Sequence, residues 1–246
     1  MYNKINGVNY ELIENSSSSE NLVFVHGSGC NRKFLRPLAQ MLPEFNCYLI
    51  DLPNHGDSDN KNCIGAEDYI DAVSEFVSTL NNVTIIGHSL GGTICIGVAA
   101  RNIPSVKRSI IVSSSAKYYK LDQKIHNMVE KGKADWDYLL ECLSSLDNPD
   151  VSQIILTLES EDVLIRDFDI DIKVDLEDIS GNISIPTLIV AGGDDILALP
   201  EYSTKLHEKI DNSKLIIVPN IRHMLPVAKK IYVAQLIREF ISQNSI

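Results

Sequence analysis

Val83-Thr84-Ile85-Ile86-Gly87-His88-Ser89-Leu90-Gly91-Gly92 is the stretch on which the reading of this chain turns. Its first four residues form a short β-branched apolar run, the pattern of a buried strand. From Leu90 to Arg101 small and apolar residues dominate, a helix able to pack closely against its neighbours. Ser89 falls at the junction of the two. A serine held in so sharp a turn must take a strained backbone conformation, which lifts its hydroxyl above the end of the strand. Gly87 and Gly91 suit the positions beside it, because side chains there would collide with the adjoining strand and helix. The helix start also directs N–H groups at any negative charge that develops nearby. Ser89 is therefore the candidate nucleophile, with a purely structural turn as the competing explanation.

Outward from this stretch, strands and helices alternate. Leu22 to Val25, Cys47 to Leu52, Ile110 to Ser113, Thr187 to Ala191 and Leu215 to Val218 read as strands. Helices are expected over Phe34 to Leu42, Ala66 to Leu80, Glu201 to Ile210 and Ile231 to Ile241. In the second of these Tyr69, Val73, Phe76, Val77 and Leu80 share one face. Such alternation specifies an α/β fold, a mostly parallel twisted sheet with helices on both faces. Parallel strands buried on both faces are continuously apolar, as these are. Asn6-Gly7 between short alternating segments predicts an N-terminal hairpin. The rhythm breaks between residues 116 and 180, where helical stretches are expected around Trp136 to Leu146 and Val151 to Leu158. That segment reads as a helical cap insertion into a core made of residues 1–115 and 181–246.

The size of 246 residues suits one such domain, and 44% hydrophobic with 22% charged residues is the balance of an ordinary globule. The net charge is -11, and residues 116–180 hold 7 Lys/Arg against 16 Asp/Glu. Solubility is the ordinary meaning of such an excess, and its field disfavours nucleic acid, anionic membrane surfaces and strongly anionic substrates. Five cysteines, at 30, 47, 63, 95 and 142, are odd in number and include no CxxC pair, so neither disulfides nor zinc are expected. Neither a secretory signal nor a membrane span is read, and a cytoplasmic protein is expected. The oligomeric state is left open.

A serine hydroxyl needs a base. Of six histidines, His223 lies in the loop beyond the Leu215 to Val218 strand, where the sites of such sheets are built. His207 sits within a helix, His126 within the insertion, and His26, His55 and His88 each belong to a local motif of their own. His223 is the candidate base. A carboxylate must orient it, and Asp194 and Asp195 follow the Thr187 to Ala191 strand; either can serve, the other acting as a solvated turn or helix cap. No further ligands accompany the pair, so no metal is expected. Oxyanion stabilisation needs two donors: the N–H of Leu90, and the N–H of Ser28 in His26-Gly27-Ser28-Gly29 after the first core strand. Read as a dinucleotide-binding turn, Gly27-Ser28-Gly29 lacks its third glycine, Arg32 standing there.

Taken together, His26 to Gly29, Asp51-Leu52-Pro53-Asn54-His55-Gly56-Asp57-Ser58, Gly87 to Gly92, Ile185 to Asp195 and His223 resemble the α/β-hydrolase superfamily, of the serine esterase or lipase kind with an inserted cap. The resemblance implies the chain order Ser89, Asp195, His223, and its spacing from Gly192 favours Asp195 over Asp194. It also implies that the His55 loop supports the site structurally. A serine nucleophile implies acyl transfer, so the expected activity is hydrolysis of small uncharged or apolar carboxylic esters through an acyl-enzyme, without cofactor. C–C bond hydrolysis, thioester hydrolysis, aminopeptidase action, or a ligand-binding protein that keeps the fold are the alternatives. Tyr118, Tyr119, Trp136, Tyr138 and Leu139 are candidates for an acyl pocket, with core packing the role expected of most.

Overall fold

Each central strand sends alternate side chains to opposite faces. In Asn21–Val25 the side chains of Leu22 and Phe24 enter one apolar cluster while Val23 and Val25 enter another. The computed structural model describes residues 3–61, 63, 65–143 and 157–244. Its strands are β1 (Asn3–Ile5), β2 (Val8–Ile13), β3 (Asn21–Val25), β4 (Asn46–Ile50), β5 (Val83–His88), β6 (Val106–Val112), β7 (Thr187–Gly192) and β8 (Ser213–Val218). They form one 8-stranded sheet in the order β1-β2-β4-β3-β5-β6-β7-β8. The pairs β1–β2 and β2–β4 are antiparallel and all later neighbours are parallel. Asn6 and Gly7, with φ of 52° and 84°, make the tight turn between β1 and β2 that their residue types favour.

Among the described residues the helices of eight or more residues are α1 (Ala66–Ser78), α2 (Leu90–Ala100), α3 (Gln123–Lys131), α4 (Trp136–Leu143), α5 (Glu161–Lys173), α6 (Pro200–Lys209) and α7 (Lys230–Gln243). On one sheet face α1 contributes Tyr69, Val73 and Phe76, α2 contributes Ile94 and Val98, and α6 contributes Leu206. On the other, α7 brings Val233, Ile237 and Phe240 beside Phe34 and Leu38. Gly97 lets α1 and α2 close up, since a Cβ there would lie 2.3 Å from Ile70 Cδ1.

Two expectations need correction. The strand at Leu215 to Val218 is not buried on both faces: β8 is the sheet edge, and Ile217 is 45% exposed. The expected helix over Phe34 to Leu42 is a 3-10 turn, Arg32–Leu35, running into a short helix, Arg36–Ala39. Between β6 and β7 the described residues include α3, α4 and α5, which share an apolar cluster of Ile125, Met128, Leu139, Leu164 and Phe168. The helices α3 and α5 carry no counterpart in the sequence reading. The helix expected over Val151 to Leu158 falls outside the described residues except for Thr157 and Leu158, which are not helical. Among the described residues no helix is long and apolar enough to cross a membrane.

Candidate active site

Ser89 lies between β5 and α2 with φ 55° and ψ -127°. A non-glycine residue in such a conformation costs ~1–3 kcal/mol and persists only where its surroundings fix it. Here the Ser89 N–H donates to Val112 O at 3.1 Å, and the Ser89 carbonyl accepts from Gly92 N at 2.8 Å, Thr93 N at 3.1 Å and Ser114 Oγ at 2.7 Å. The flanking glycines are sterically required. A Cβ on Gly87 would lie 2.2 Å from Gly91 O, and one on Gly91 would lie 2.2 Å from Val25 O. Leu90 is the first residue of α2, so its N–H has no acceptor within the helix.

At the end of β7 the chain turns through Gly193 and the two aspartates, and the turn separates them. Asp194 is exposed, while Asp195 is 2% exposed. Asp195 Oδ1 accepts from the N–H groups of Leu197 at 2.9 Å and Ala198 at 3.0 Å, which holds the carboxyl inward. Its Oδ2 lies 2.8 Å from His223 Nδ1. A carboxylate only accepts, so Nδ1 carries the proton and the Nε2 lone pair of His223 is left free. The ring of His88 stands 4.8 Å from that of His223, and its Nε2–H donates to the His223 carbonyl at 2.9 Å. Burial, reinforced by the neighbouring His223, pushes His88 down to about 3, so it stays neutral.

Ser89 and His223 open on one cavity of about 60 Å³, with Gly27, Ser28, Phe34 and Trp136 also in its wall. Among the described residues Ser89 Oγ makes no hydrogen bond to His223. Rotation about one side-chain bond moves that hydroxyl, and such contacts commonly tighten only with substrate bound.

A sequence profile of the Alpha/beta hydrolase family matches residues 22–230, from β3 into α7. The chain belongs to that family. A lipase-esterase related protein from Clostridium acetobutylicum ATCC 824 superposes with a TM-score of 0.91 at 36% identity, over 96% of this chain and 100% of that one. The pimeloyl-[acyl-carrier protein] methyl ester esterase of Neisseria meningitidis serogroup A is 26% identical over 237 residues, covering 88% of this chain and 75% of that protein. The enol-lactonase from Burkholderia xenovorans LB400 shares the fold, with a TM-score of 0.86 at 16% identity.

In this α/β hydrolase the loop after β3 is held by acidic residues that the sequence reading took for a solvated surface. The Gly29 N–H donates to Asp167 Oδ2 at 2.8 Å, and Ser28 Oγ donates to Asp171 Oδ2 at 2.8 Å. Glu159 takes the Gly29 carbonyl through its own N–H at 2.7 Å and accepts Asn31 Nδ2 at 2.8 Å. Asp167, fully buried on α5, further accepts His55 Nε2–H at 2.9 Å and Tyr69 OH at 3.0 Å. Burial alone would push the Asp167 carboxyl up, but the His55 hydrogen bond and charge with the Gly29 N–H outweigh it and hold the group below the usual range. Burial likewise pushes His55 down, and Asp167 reverses that, raising it. Solvation thus fails as the role of Asp167 and Asp171; the signal for them was their place in the stripe Leu164, Asp167, Phe168, Asp171, which is otherwise the apolar face of α5.

The other histidines of this hydrolase have separate duties. His26 Nδ1–H donates to Gly27 O at 2.9 Å and its Nε2 accepts Leu52 N–H at 3.1 Å, with burial and the neighbouring His55 lowering it to about 4. His207 pairs with Ser213 Oγ at 2.7 Å, and His126 lies on α3. Of the candidate pocket residues, Trp136 and Leu139 line the larger cavity and Tyr118 a smaller one, while Tyr119 packs on Tyr202. Among the described residues no three His, Cys, Asp or Glu side chains are grouped as metal ligands.

Proposed function

We propose that this hydrolase is a serine esterase acting on small, uncharged or apolar carboxylic esters through an acyl-enzyme. Ser89 Oγ attacks the ester carbonyl while His223 Nε2 takes the hydroxyl proton, and Asp195 steadies the resulting imidazolium. The carbonyl oxygen, now negative, is held by the N–H groups of Leu90 and Ser28; losing one such donor costs ~10²–10³ in turnover. His223 returns the proton to the leaving alcohol as the C–O bond breaks. Water then attacks the acyl carbon, giving its proton to His223, which hands it back to Ser89 as the acid departs. Residues 116–180 act as a cap on the core of residues 1–115 and 181–246, supplying part of the substrate wall.

The observation that carries this reading is the 2.8 Å pairing of buried Asp195 with His223, whose ring lines the cavity that Ser89 faces. Substrate size and polarity follow from the wall, where Phe34, Leu164, Phe168, Leu197 and Met224 leave space for a few water-sized groups. Methyl esters are a natural first choice of substrate, since the Neisseria relative is named for one.

Short p-nitrophenyl and methyl esters test the proposal, together with covalent labelling by a fluorophosphonate probe. Wild type is expected to turn over and label, and Ser89→Ala to do neither. Labelling without ester turnover would redirect the search to thioesters, diketones and aminoacyl amides, which the same side chains can cleave. Failure of wild type to label would sink the nucleophile assignment and leave a ligand-binding role.

A further inference from the structure

Ser89 and His223 also form part of the wall of a second, smaller pocket of about 20 Å³, bounded by Leu121, Ile125 and Phe168. Besides Ser89, His223 and Tyr118, one carboxyl, Asp171, stands in that wall. It is 6% exposed, and while its Oδ2 receives the Ser28 hydroxyl, its Oδ1 has no hydrogen-bond partner among the described residues. Buried polar atoms are ordinarily paired, so an unpaired carboxyl oxygen beside a reaction centre calls for a partner.

The pocket says what kind. A volume of this order admits about one water-sized group. An anion is disfavoured by Asp171 itself and by Asp167 on the same helix. An ammonium brings three N–H groups, and besides Asp171 the wall offers them only the Tyr118 hydroxyl and the Ser89 and His223 atoms that the reaction itself uses. A hydroxyl is the right size, donates to a carboxylate and accepts from a carboxylic acid, so it pairs with Asp171 in either form. Both forms matter near neutral pH: burial, reinforced by the Asp167 charge, raises Asp171 to about 7 against the Ser28 hydrogen bond.

We propose that Asp171 is a specificity-determining residue whose free carboxyl oxygen takes a hydroxyl carried by the substrate close to its ester bond. The inference rests on the serine-esterase reading above and adds the substrate class: short hydroxylated esters, preferred over counterparts with methyl in place of hydroxyl. The hydroxyl can belong to the acyl part or to the alcohol part, and the test separates the two.

Ethyl 3-hydroxybutanoate is compared with ethyl 3-methylbutanoate for the acyl part, and 2-hydroxyethyl butanoate with propyl butanoate for the alcohol part. Wild type is expected to favour the hydroxyl in kcat/KM by ~10–100-fold in one pair, the range of one hydrogen bond to a charged group. Because the readout is a ratio within each variant, general losses of activity cancel. Asp171→Leu is expected to bring the ratio to about one, and Asp171→Asn to lower it several-fold, its neutral amide making a weaker bond. Should the leucine variant not fold, the asparagine variant decides. A wild-type ratio of one or less in both pairs would mean that Oδ1 is served by water and would overturn the proposal. So would a ratio that Asp171→Leu or Asp171→Asn leaves unchanged, or a stronger preference for 2-aminoethyl butanoate. No turnover of any ester above Ser89→Ala would instead defeat the esterase reading and this proposal with it.

Discussion

Replacing Asp167 by asparagine changes one atom and reverses one set of hydrogen bonds. The new Oδ1 still accepts from Tyr69 OH, but an NH2 group stands where Oδ2 took the N–H of Gly29 and the Nε2–H of His55. The buried N–H of Gly29 then faces a donor, at ~1–3 kcal/mol for the orphaned group. His55, which burial lowers once the carboxylate is gone, gives up its Nε2 proton, and its charged hydrogen bond, worth ~1.5–3 kcal/mol, is lost as well. Breaking a buried charged pair by removing one partner gives ~3–5 kcal/mol independently. A loss of about 4 kcal/mol is a large part of the ~5–15 kcal/mol that holds a domain together, yet leaves a folded protein to measure. The assay is equilibrium urea unfolding, followed by far-ultraviolet circular dichroism and by the fluorescence of Trp136, the only tryptophan and part of the cavity wall. With a slope of ~2–3 kcal/mol per molar, the midpoint is expected to fall by roughly 1–2 M. Asp169→Asn is the control: its partner Lys173 is exposed, and removing such a pair costs ~0.5 kcal/mol or less. A loss under ~1 kcal/mol for Asp167→Asn, or equal losses in both variants, would refute the account of Asp167 as a buried acceptor on which the loop after β3 depends.

The advantage of wild type over Asp167→Asn depends on pH with a definite sign. Asp167 is lowered on folding, so its share is present above the unfolded value of ~3.9 and lost as pH falls through the folded one; His55 is raised, so its share is full below ~6.5 and lost as pH rises through its folded value. Urea midpoints are therefore expected to differ more between the two proteins at about pH 5.5 than at about pH 8.5. Gly91→Ala places a Cβ 2.2 Å from a backbone oxygen that cannot yield and is expected to cost at least ~3 kcal/mol or to prevent folding, whereas Gly97→Ala meets the flexible end of Ile70 and is expected to cost ~1–3 kcal/mol, both read from urea midpoints. Asp195→Asn is expected to lower kcat on a p-nitrophenyl ester by ~10⁴, and Asp194→Asn to leave it within a few-fold; comparable losses would refute the choice between them.

What could be read in the residues was what local geometry dictates. Gly87 and Gly91 announce the turn at Ser89 because the clash they avoid lies within a few residues or on the next strand, whatever the rest of the chain does. The parallel sheet showed itself because strands covered on both faces have no polar side to mask them; β8 misled because an edge strand can be just as apolar. Asp194 and Asp195 are chemically identical, and the turn that exposes one and caps Leu197 and Ala198 with the other is not written in residue type. The duties of Asp167 were out of reach for another reason: its partners Gly29, His55 and Tyr69 are 138, 112 and 98 positions away. Composition invited the opposite conclusion, since acidic residues are common in that segment and most stay wet. Periodicity on α5 was the clue, two carboxylates where leucines would be expected.

The grip of Glu159, Asp167 and Asp171 on the loop after β3 bears on how this scaffold can be re-engineered. Grafting the stretch between β6 and β7 from another hydrolase would carry away the acceptors for Gly29, Ser28, Asn31 and His55 along with the pocket wall. Chimeras need to exchange both partners of that clasp together, or the recipient loses the fixed course of the loop after β3 in gaining a new specificity.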